Sequence, residues 1–143
     1  MASLNDGERA LLDGETARRE KRHVEALRAF GRAADYFRAA RDKERLAHAL
    51  SREAQIARDL KNYDDGYRVQ NEAVDLSRET GSASLPHRIR HLADILREKG
   101  DAHAAAPLYE EVLALYRMST EVSPLELANT TRSIASNSQA LGD

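Results

Sequence analysis

The chain contains no cysteine and no tryptophan, and only three of its 143 residues are proline. The lack of cysteine excludes disulfide frameworks, thiolate nucleophiles and cysteine-based zinc sites. No stretch approaches the roughly 18 uncharged apolar residues of a membrane-spanning helix, and the first residues lack the basic-then-apolar order of a signal peptide. An excess of one charge is also missing, because 22 Lys and Arg oppose 24 Asp and Glu. A dedicated nucleic-acid binder is usually clearly basic. We therefore expect a soluble, cytoplasmic protein that binds neither nucleic acid nor membranes.

The residues that are abundant favour helices. Ala, Leu, Arg and Glu dominate the composition, and all four are good helix formers. With only two Phe and five Tyr, the core has to be built mainly from Ala, Leu, Val and Ile. Small core residues allow helices to approach one another closely, so an all-α fold is predicted.

An internal repeat organises the chain. A shift of 39 residues places Leu85–Ile89 over Leu46–Leu50, and Glu111–Leu115 over Glu72–Leu76. Self-similarity at a fixed period is typical of helical repeat arrays. The predicted repeat units are residues 7–46, 47–85 and 86–127, followed by a half-unit at 128–143.

Each unit carries two helical periodicities separated by a short polar break. The predicted helices are residues 6–20, 23–40, 43–60, 63–79, 84–99, 102–119 and 124–140. The first helix of each unit and its second helix would form an antiparallel hairpin.

The pattern within the units resembles that of the tetratricopeptide repeats, in which W-x2-L-G-x2-Y is followed by A-x3-F and then a small residue. The first unit has Ala10, Asp13, Gly14 and Ala17, then Ala26, Phe30 and Ala33, and the third has Ile89, Leu92, Ala93 and Leu96, then Ala105, Tyr109 and Val112. The second unit keeps Leu50, Ala54, Ala57 and Ala73 but has Gly66 and Gln70 in second-helix positions. The spacing of 39 to 42 residues exceeds the usual period of about 34 and is similar to the kinesin-light-chain type of the family.

The resemblance implies a right-handed α–α superhelix, a solenoid of seven helices and about three and a half repeats that forms a single domain over residues 1–143. The small residues Gly14, Ala54, Ala93 and Ala135 are expected where the two helices of a hairpin approach most closely.

The resemblance also implies a binding face, because the first helices of this family line a concave groove that holds an extended peptide or a partner helix. The polar positions of that face recur at spacings of three and four, so each set lies on one side of its helix. The predicted binding residues are His48, Ser51, Arg52, Gln55, His87, Arg90, His91, Asp94, Asn129 and Arg132, beside Leu12, Glu15, Ser133 and Ser136 on the same faces.

The centre of this predicted groove is polar and net basic. Arg52, Arg90 and Arg132 can each donate paired hydrogen bonds to a carboxylate. We therefore predict a non-enzymatic adaptor or scaffold that binds an acidic or carboxylate-bearing segment of a protein or peptide partner. A solvated helix face with no specific ligand is the simpler interpretation of the same residues.

Two histidines have a spacing that suits a metal. His87 and His91 lie four residues apart, but Arg88 and Arg90 stand between them and oppose a dication. Although His48 occupies the equivalent position one unit earlier, neither a metal site nor a cofactor is predicted. No phosphate-binding loop, nucleophile elbow or other catalytic motif occurs in the sequence.

Two further functions stay open at this stage. Exposed Leu127, Ile134 and Leu141 would let the chain pair end to end as a homodimer. The second open function is that of a regulatory sensor that binds a signalling peptide. Gly142–Asp143 repeats the turn that starts a second helix elsewhere, so the sequence is also consistent with a fragment of a longer array.

Overall fold

Seven α-helices account for most of residues 4–119 and 121–142, the part of the chain that the computed structural model describes. They are α1 (Leu4–Arg19), α2 (His23–Ala39), α3 (Lys43–Asp59), α4 (Tyr63–Thr80), α5 (Leu85–Lys99), α6 (Ala102–Met118) and α7 (Pro124–Ala140). Each helix begins and ends within two residues of its predicted bounds, and no β-strand occurs in these residues. The prediction of an all-helical repeat protein is therefore confirmed. None of these helices is long and apolar enough to cross a membrane.

The contacts divide the chain into two compact units, with the boundary between Ser82 and Ala83. In the first unit α1 packs against α2, α2 against α3, and α3 against α4. In the second unit α5 packs against α6, and α7 contacts both of them. We refer to α1, α3, α5 and α7 as first helices and to α2, α4 and α6 as second helices.

Two phenylalanines of α2 form the centre of the first hairpin. Phe30 and Phe37 are fully buried, and each ring packs against a glycine of α1. A β-carbon added at Gly14 would lie 2.6 Å from the Phe30 ring, and one added at Gly7 would lie 2.8 Å from the Phe37 ring. Both distances are shorter than van der Waals contact allows. The two glycines therefore give the aromatic rings the room they need against α1.

Of the four small residues expected at close helix approaches, Gly14 lies against the Phe30 ring, and Ala54 and Ala93 are buried. The expectation for Ala135 is wrong, because this residue is exposed. Within the described residues no second helix follows α7, so that position has nothing to pack against. The face that α7 buries against α5 and α6 instead carries Thr130, Ser133 and Asn137.

The first five connections between helices share one backbone feature. A residue with a positive φ lies one or two positions after the end of each helix: Lys21, Arg41, Lys61, Gly81 and Gly100. In the first connection the N–H of Arg22 donates to Ala17 O at 2.8 Å, and the N–H of Lys21 donates to Arg18 O at 3.0 Å. This pair of bonds is the Schellman motif, which closes a helix through a left-handed residue. Three of the five positions carry a side chain where glycine is the favoured residue.

Glycine at these three positions is expected to stabilise the protein. A non-glycine residue in the left-handed region destabilises the folded state by about 1–2 kcal/mol. Glycine removes this strain, but part of the gain is offset because glycine makes the unfolded chain more flexible. We therefore expect Lys21→Gly, Arg41→Gly and Lys61→Gly to raise the free energy of unfolding by roughly 0.5–1 kcal/mol each. Urea denaturation of the single variants measures this gain. Lys61→Ala is the matched control: it removes the same charge but keeps the strained β-carbon, and an equal gain from it would contradict the explanation.

Candidate functional site

The first unit brings polar side chains of α1 and α3 together on one face. Nε of Arg52 lies 2.9 Å from a carboxylate oxygen of Glu15, and Nη1 of Arg52 donates a hydrogen bond to Gln55 at 3.0 Å. A second ion pair joins Arg45 to Glu8 at 2.9 Å. Both ion pairs connect neighbouring first helices. The guanidinium predicted to bind a ligand carboxylate is thus already held by a carboxylate of the chain itself.

The second unit builds its polar face around Glu126 of α7. Nδ1 of His87 lies 3.1 Å from each carboxylate oxygen, Nη2 of Arg90 lies 3.7 Å from one of them, and the Tyr116 hydroxyl donates to it at 3.4 Å. Burial by itself raises the pKa of the Glu126 carboxyl, but the hydrogen bond and charge of His87 and the charge of Arg90 outweigh it. The pKa of Glu126 is therefore lowered, and the carboxylate stays charged at neutral pH.

A buried cluster of polar side chains lies beside this face. Asp94 accepts hydrogen bonds from the Tyr109 hydroxyl and from Nη1 of Arg90, the latter at 3.1 Å. Nε of Arg97 donates to the Tyr109 oxygen at 3.2 Å. Burial, together with the charge of Asp94, raises the pKa of the Tyr109 hydroxyl. The hydroxyl therefore keeps its proton and acts as a donor to Asp94. Because α5 supplies three of these residues and α6 supplies Tyr109, the cluster fastens the second hairpin.

Three predicted binding residues do not lie at the outward positions that the sequence pattern assigned to them. Exposure is only 7% for Ser51, 7% for Arg90 and 2% for Asp94. Arg90 and Asp94 can be buried because they pair with each other, and Asp94 also accepts a hydrogen bond from the Tyr109 hydroxyl. The expected exposure of these side chains is therefore wrong, and they lie beneath the polar face rather than on it.

The other predicted residues remain accessible on their first helices. His48 and Arg132 are exposed, and partial exposure is shared by Arg52, Gln55, His87, His91 and Asn129. Arg132 makes no ion pair or hydrogen bond with any residue that the structure describes. It is the one of the three arginines proposed for carboxylate binding that is not already paired.

His87 and His91 contact each other edge to face, with ring centroids 4.5 Å apart and planes inclined by 70°. Nδ1 of His87 is directed at Glu126. In the described ranges no three side chains among His, Asp and Glu are arranged to hold a metal ion. This histidine pair is part of the polar face of the second unit.

Sequence reasoning missed the acidic partners on these faces. The sequence pattern puts Glu15 on the polar face but does not indicate its ion pair with Arg52, and it gives no role to Glu126. The separation along the chain was an available signal, because Glu15 and Arg52 are 37 residues apart and His87 and Glu126 are 39 apart, close to one repeat period. Opposite charges one period apart on first helices predict a bridge between neighbouring repeats.

Solved tetratricopeptide-repeat structures are similar to this chain. The TPR domain of Arabidopsis FLU matches with a TM-score of 0.75 and 18% identity, over 80% of this chain and 98% of that one. The N-terminal domain of stress-induced protein-1 (STI-1) from C. elegans matches with a TM-score of 0.71 and 13% identity, over 91% and 95%. The nearly identical TPR-like repeats of a kinesin light chain-like protein from Podospora anserina match with a TM-score of 0.73 and 16% identity, over 90% and 64%. No family model and no curated protein matches the chain.

Proposed function

We propose that this chain, which has the tetratricopeptide-repeat fold, is a non-enzymatic adaptor or scaffold that binds a protein or peptide partner. The observation that carries the proposal is the set of polar side-chain contacts joining neighbouring first helices. Arg52 is held by Glu15 in the first unit, and His87 is held by Glu126 in the second. Side chains fixed in this way lose little further freedom on binding, so more of the contact energy appears as affinity.

Each unit has its own proposed contact surface, which we call its first-helix surface and which consists of that unit's accessible predicted residues. In the first unit it is formed by His48, Arg52 and Gln55, and in the second by His87, His91, Asn129 and Arg132. Ser51, Arg90 and Asp94 support these surfaces from below. The clustering of hydrogen-bonding side chains on one face of each helix suits a polar segment of a partner better than an apolar one.

We further propose that the partner segment is acidic or ends in a carboxylate. The support for this is Arg132, which is exposed and has no ion pair within the described residues. A guanidinium matches a carboxylate in a planar, two-bond geometry. Arg52 and Arg90 are already paired with carboxylates of the chain, so the proposal rests on Arg132.

Quantitative affinity capture from a lysate of the source organism tests this function. Arg132→Glu reverses the charge of the one unpaired guanidinium, and we expect it to reduce recovery of a specific partner by about tenfold, equivalent to about 1.4 kcal/mol. The interaction of the wild type should also weaken with added salt, because the attraction is between exposed charges.

Arg117→Glu provides the matched control, since Arg117 is an exposed arginine of α6 that also lacks an ion pair among the described residues. The variant makes the same change of charge on a second helix and should leave recovery unchanged. Equal loss from both variants would point to a general effect of charge, and no loss from Arg132→Glu would remove the acidic-segment proposal.

Homodimer formation is a second candidate, favoured by exposed apolar residues at the end of α6 and the start of α7. Met118, Leu125 and Leu127 are large apolar residues with exposures of 82%, 67% and 45%. Ile134 and Leu141, the other residues considered for self-pairing, are half-buried. Sedimentation equilibrium should give twice the monomer mass for the wild type and the monomer mass for a Leu125→Ser, Leu127→Ser variant. A monomer at high concentration would eliminate this candidate.

A further inference from the structure

An acidic residue occupies a position in the second repeat where the third repeat has a core leucine. The 39-residue shift that aligns Ala54 with Ala93 places Glu53 over Leu92. Leu92 is buried in the second unit, with 3% of its surface exposed. Asp13 holds the same position in the first repeat. The apolar side chain that normally fills the space beneath the second helices is therefore missing at Glu53.

A cleft of about 620 Å³ lies at this position. Its sides are formed by α2 and α4 and its floor by α3, all within the first unit. Leu50 and Val69 supply apolar surface, and Gly31 lies beside Glu53, since a β-carbon added there would be in ordinary contact with a carboxylate oxygen at 3.5 Å. Leu50 and Glu53 lie on the side of α3 away from His48 and Gln55. The cleft is therefore separate from the first-helix surface and does not depend on the function proposed for that surface.

The carboxylate of Glu53 has no counter-ion at contact distance among the residues that the structure describes. A neighbouring acid of the cleft, Glu72, is paired with Arg38 through two hydrogen bonds of 2.6 and 3.2 Å. Burial raises the pKa of the Glu53 carboxyl, and the negative charges of Asp35 and Glu72 act in the same direction. Arg68 and Arg38 lower it but do not cancel the rise. A half-buried carboxylate in this state is stabilised by a cation that enters the cleft.

Two arginines at the rim of the cleft lack an acidic partner among the described residues. Arg28 and Arg32 of α2 line the cleft, are exposed, and make no ion pair or hydrogen bond within the described part of the chain. They face solvent about one helical turn apart, a spacing that suits two acidic groups on a single partner segment. The carboxylate of Glu53 and the exposed guanidinium groups of Arg28 and Arg32 therefore line one cleft, together with Asp35, Arg68 and the Arg38–Glu72 pair.

We propose that this cleft binds one arginine side chain of a partner protein, with Glu53 as its counter-ion and with Arg28 and Arg32 contacting acidic residues that flank the arginine. Charge complementarity selects the occupant. A purely acidic segment would be repelled by the Glu53 carboxylate, and a purely basic segment would be repelled by Arg28 and Arg32. Arginine fits better than lysine, because its planar guanidinium pairs with a carboxylate through two bonds and its stem packs on Leu50 and Val69.

Titration of the isotope-labelled full chain with the peptide acetyl-Ala-Asp-Arg-Glu-Ala-amide, followed by NMR, tests the proposal. We expect weak binding, on the order of 1 mM, with chemical-shift changes at Gly31, Leu50 and Val69. The same peptide with citrulline in place of arginine keeps the shape without the charge, and it should bind at least about fivefold more weakly. Glu53→Gln should cause the same loss with the normal peptide. Equal binding of both peptides, shift changes confined to other surfaces, or no binding at about 10 mM peptide would overturn the proposal.

Glu53→Leu provides an independent readout. It installs the residue that the third repeat has, so it should raise the melting temperature at pH 7 and abolish peptide binding. The sign follows from the raised pKa of Glu53, because a carboxyl of this kind destabilises the folded state once pH rises through its folded-state pKa. A fall in melting temperature would show that the cleft is not an unfilled core position. If Arg68 pairs with Glu53 in solution, the Glu53 carboxyl will titrate at or below the ordinary glutamate pKa, and that result would also contradict the proposal.

Discussion

Replacement of Phe30 by alanine is expected to lower the free energy of unfolding of the first unit by about 3–5 kcal/mol. The side chain is fully buried and packs with Ala17, Ala26 and Ile56 in one apolar cluster. Its ring also lies directly against Gly14 of α1. Alanine would leave a cavity between α1 and α2 that helix backbones cannot close without losing other contacts. Urea denaturation followed by circular dichroism measures the loss.

Val24→Ala is the control for this prediction, because Val24 lies on the same helix but is exposed. It should change the free energy of unfolding by less than about 0.5 kcal/mol. The contact with Gly14 can be tested separately. Gly14→Ala should destabilise the unit through its clash with the ring, and Phe30→Leu in the same chain should relieve part of that loss. Additive effects of the two substitutions would contradict the close packing described for this hairpin.

Removal of the Asp94 carboxylate is the second substitution with a large expected effect. Asp94 is 2% exposed and accepts hydrogen bonds from Arg90 and the Tyr109 hydroxyl. Asp94→Ala would leave the buried guanidinium of Arg90 without this partner, and the loss of one member of a buried ion pair typically costs about 3–5 kcal/mol. Thermal denaturation of the second unit within the full chain measures the effect.

A double substitution distinguishes the cost of leaving Arg90 unpaired from the net contribution of the Arg90–Asp94 ion pair. Asp94→Leu with Arg90→Leu removes both charges, and it should recover a large part of the stability, because apolar residues of similar volume can replace a buried ion pair. Glu79→Ala is the surface control. It breaks the exposed pair with Lys43 and should cost less than about 1 kcal/mol. If Asp94→Ala costs no more than Glu79→Ala, the cluster does not fasten the hairpin as described.

The helices were predictable because their signals are local. Apolar periodicity and polar breaks depend only on neighbouring positions, and all seven helices lie within two residues of their predicted bounds. Ala135 shows the limit of this reasoning. The repeat pattern assigns it to a helix contact, yet a contact needs a second surface, and the side that α7 buries is that of Thr130, Ser133 and Asn137.

The polar face was harder to predict because burial depends on what another element places above a residue. Arg90 and Asp94 recur at the spacing of an exposed face, and nothing on α5 itself reveals that Tyr109 of α6 provides a hydroxyl for Asp94. Arg132 has a similar pattern but remains exposed, since no described residue offers it a carboxylate. Sequence spacing therefore grouped residues on one side of a helix, whereas their burial and the pairing of their charges required the packed structure.

The central claim is that a protein partner binds a first-helix surface, and site-specific photocrosslinking from the second unit tests this claim most directly. A benzoylphenylalanine at Ala128 lies one helical turn from Arg132 on the same face and replaces none of the proposed contact residues. The control position is Glu110, an exposed residue of the second helix α6. We predict a crosslink to one partner from position 128 and none from position 110. The same partner crosslinked from position 110, but not from position 128, would contradict the account.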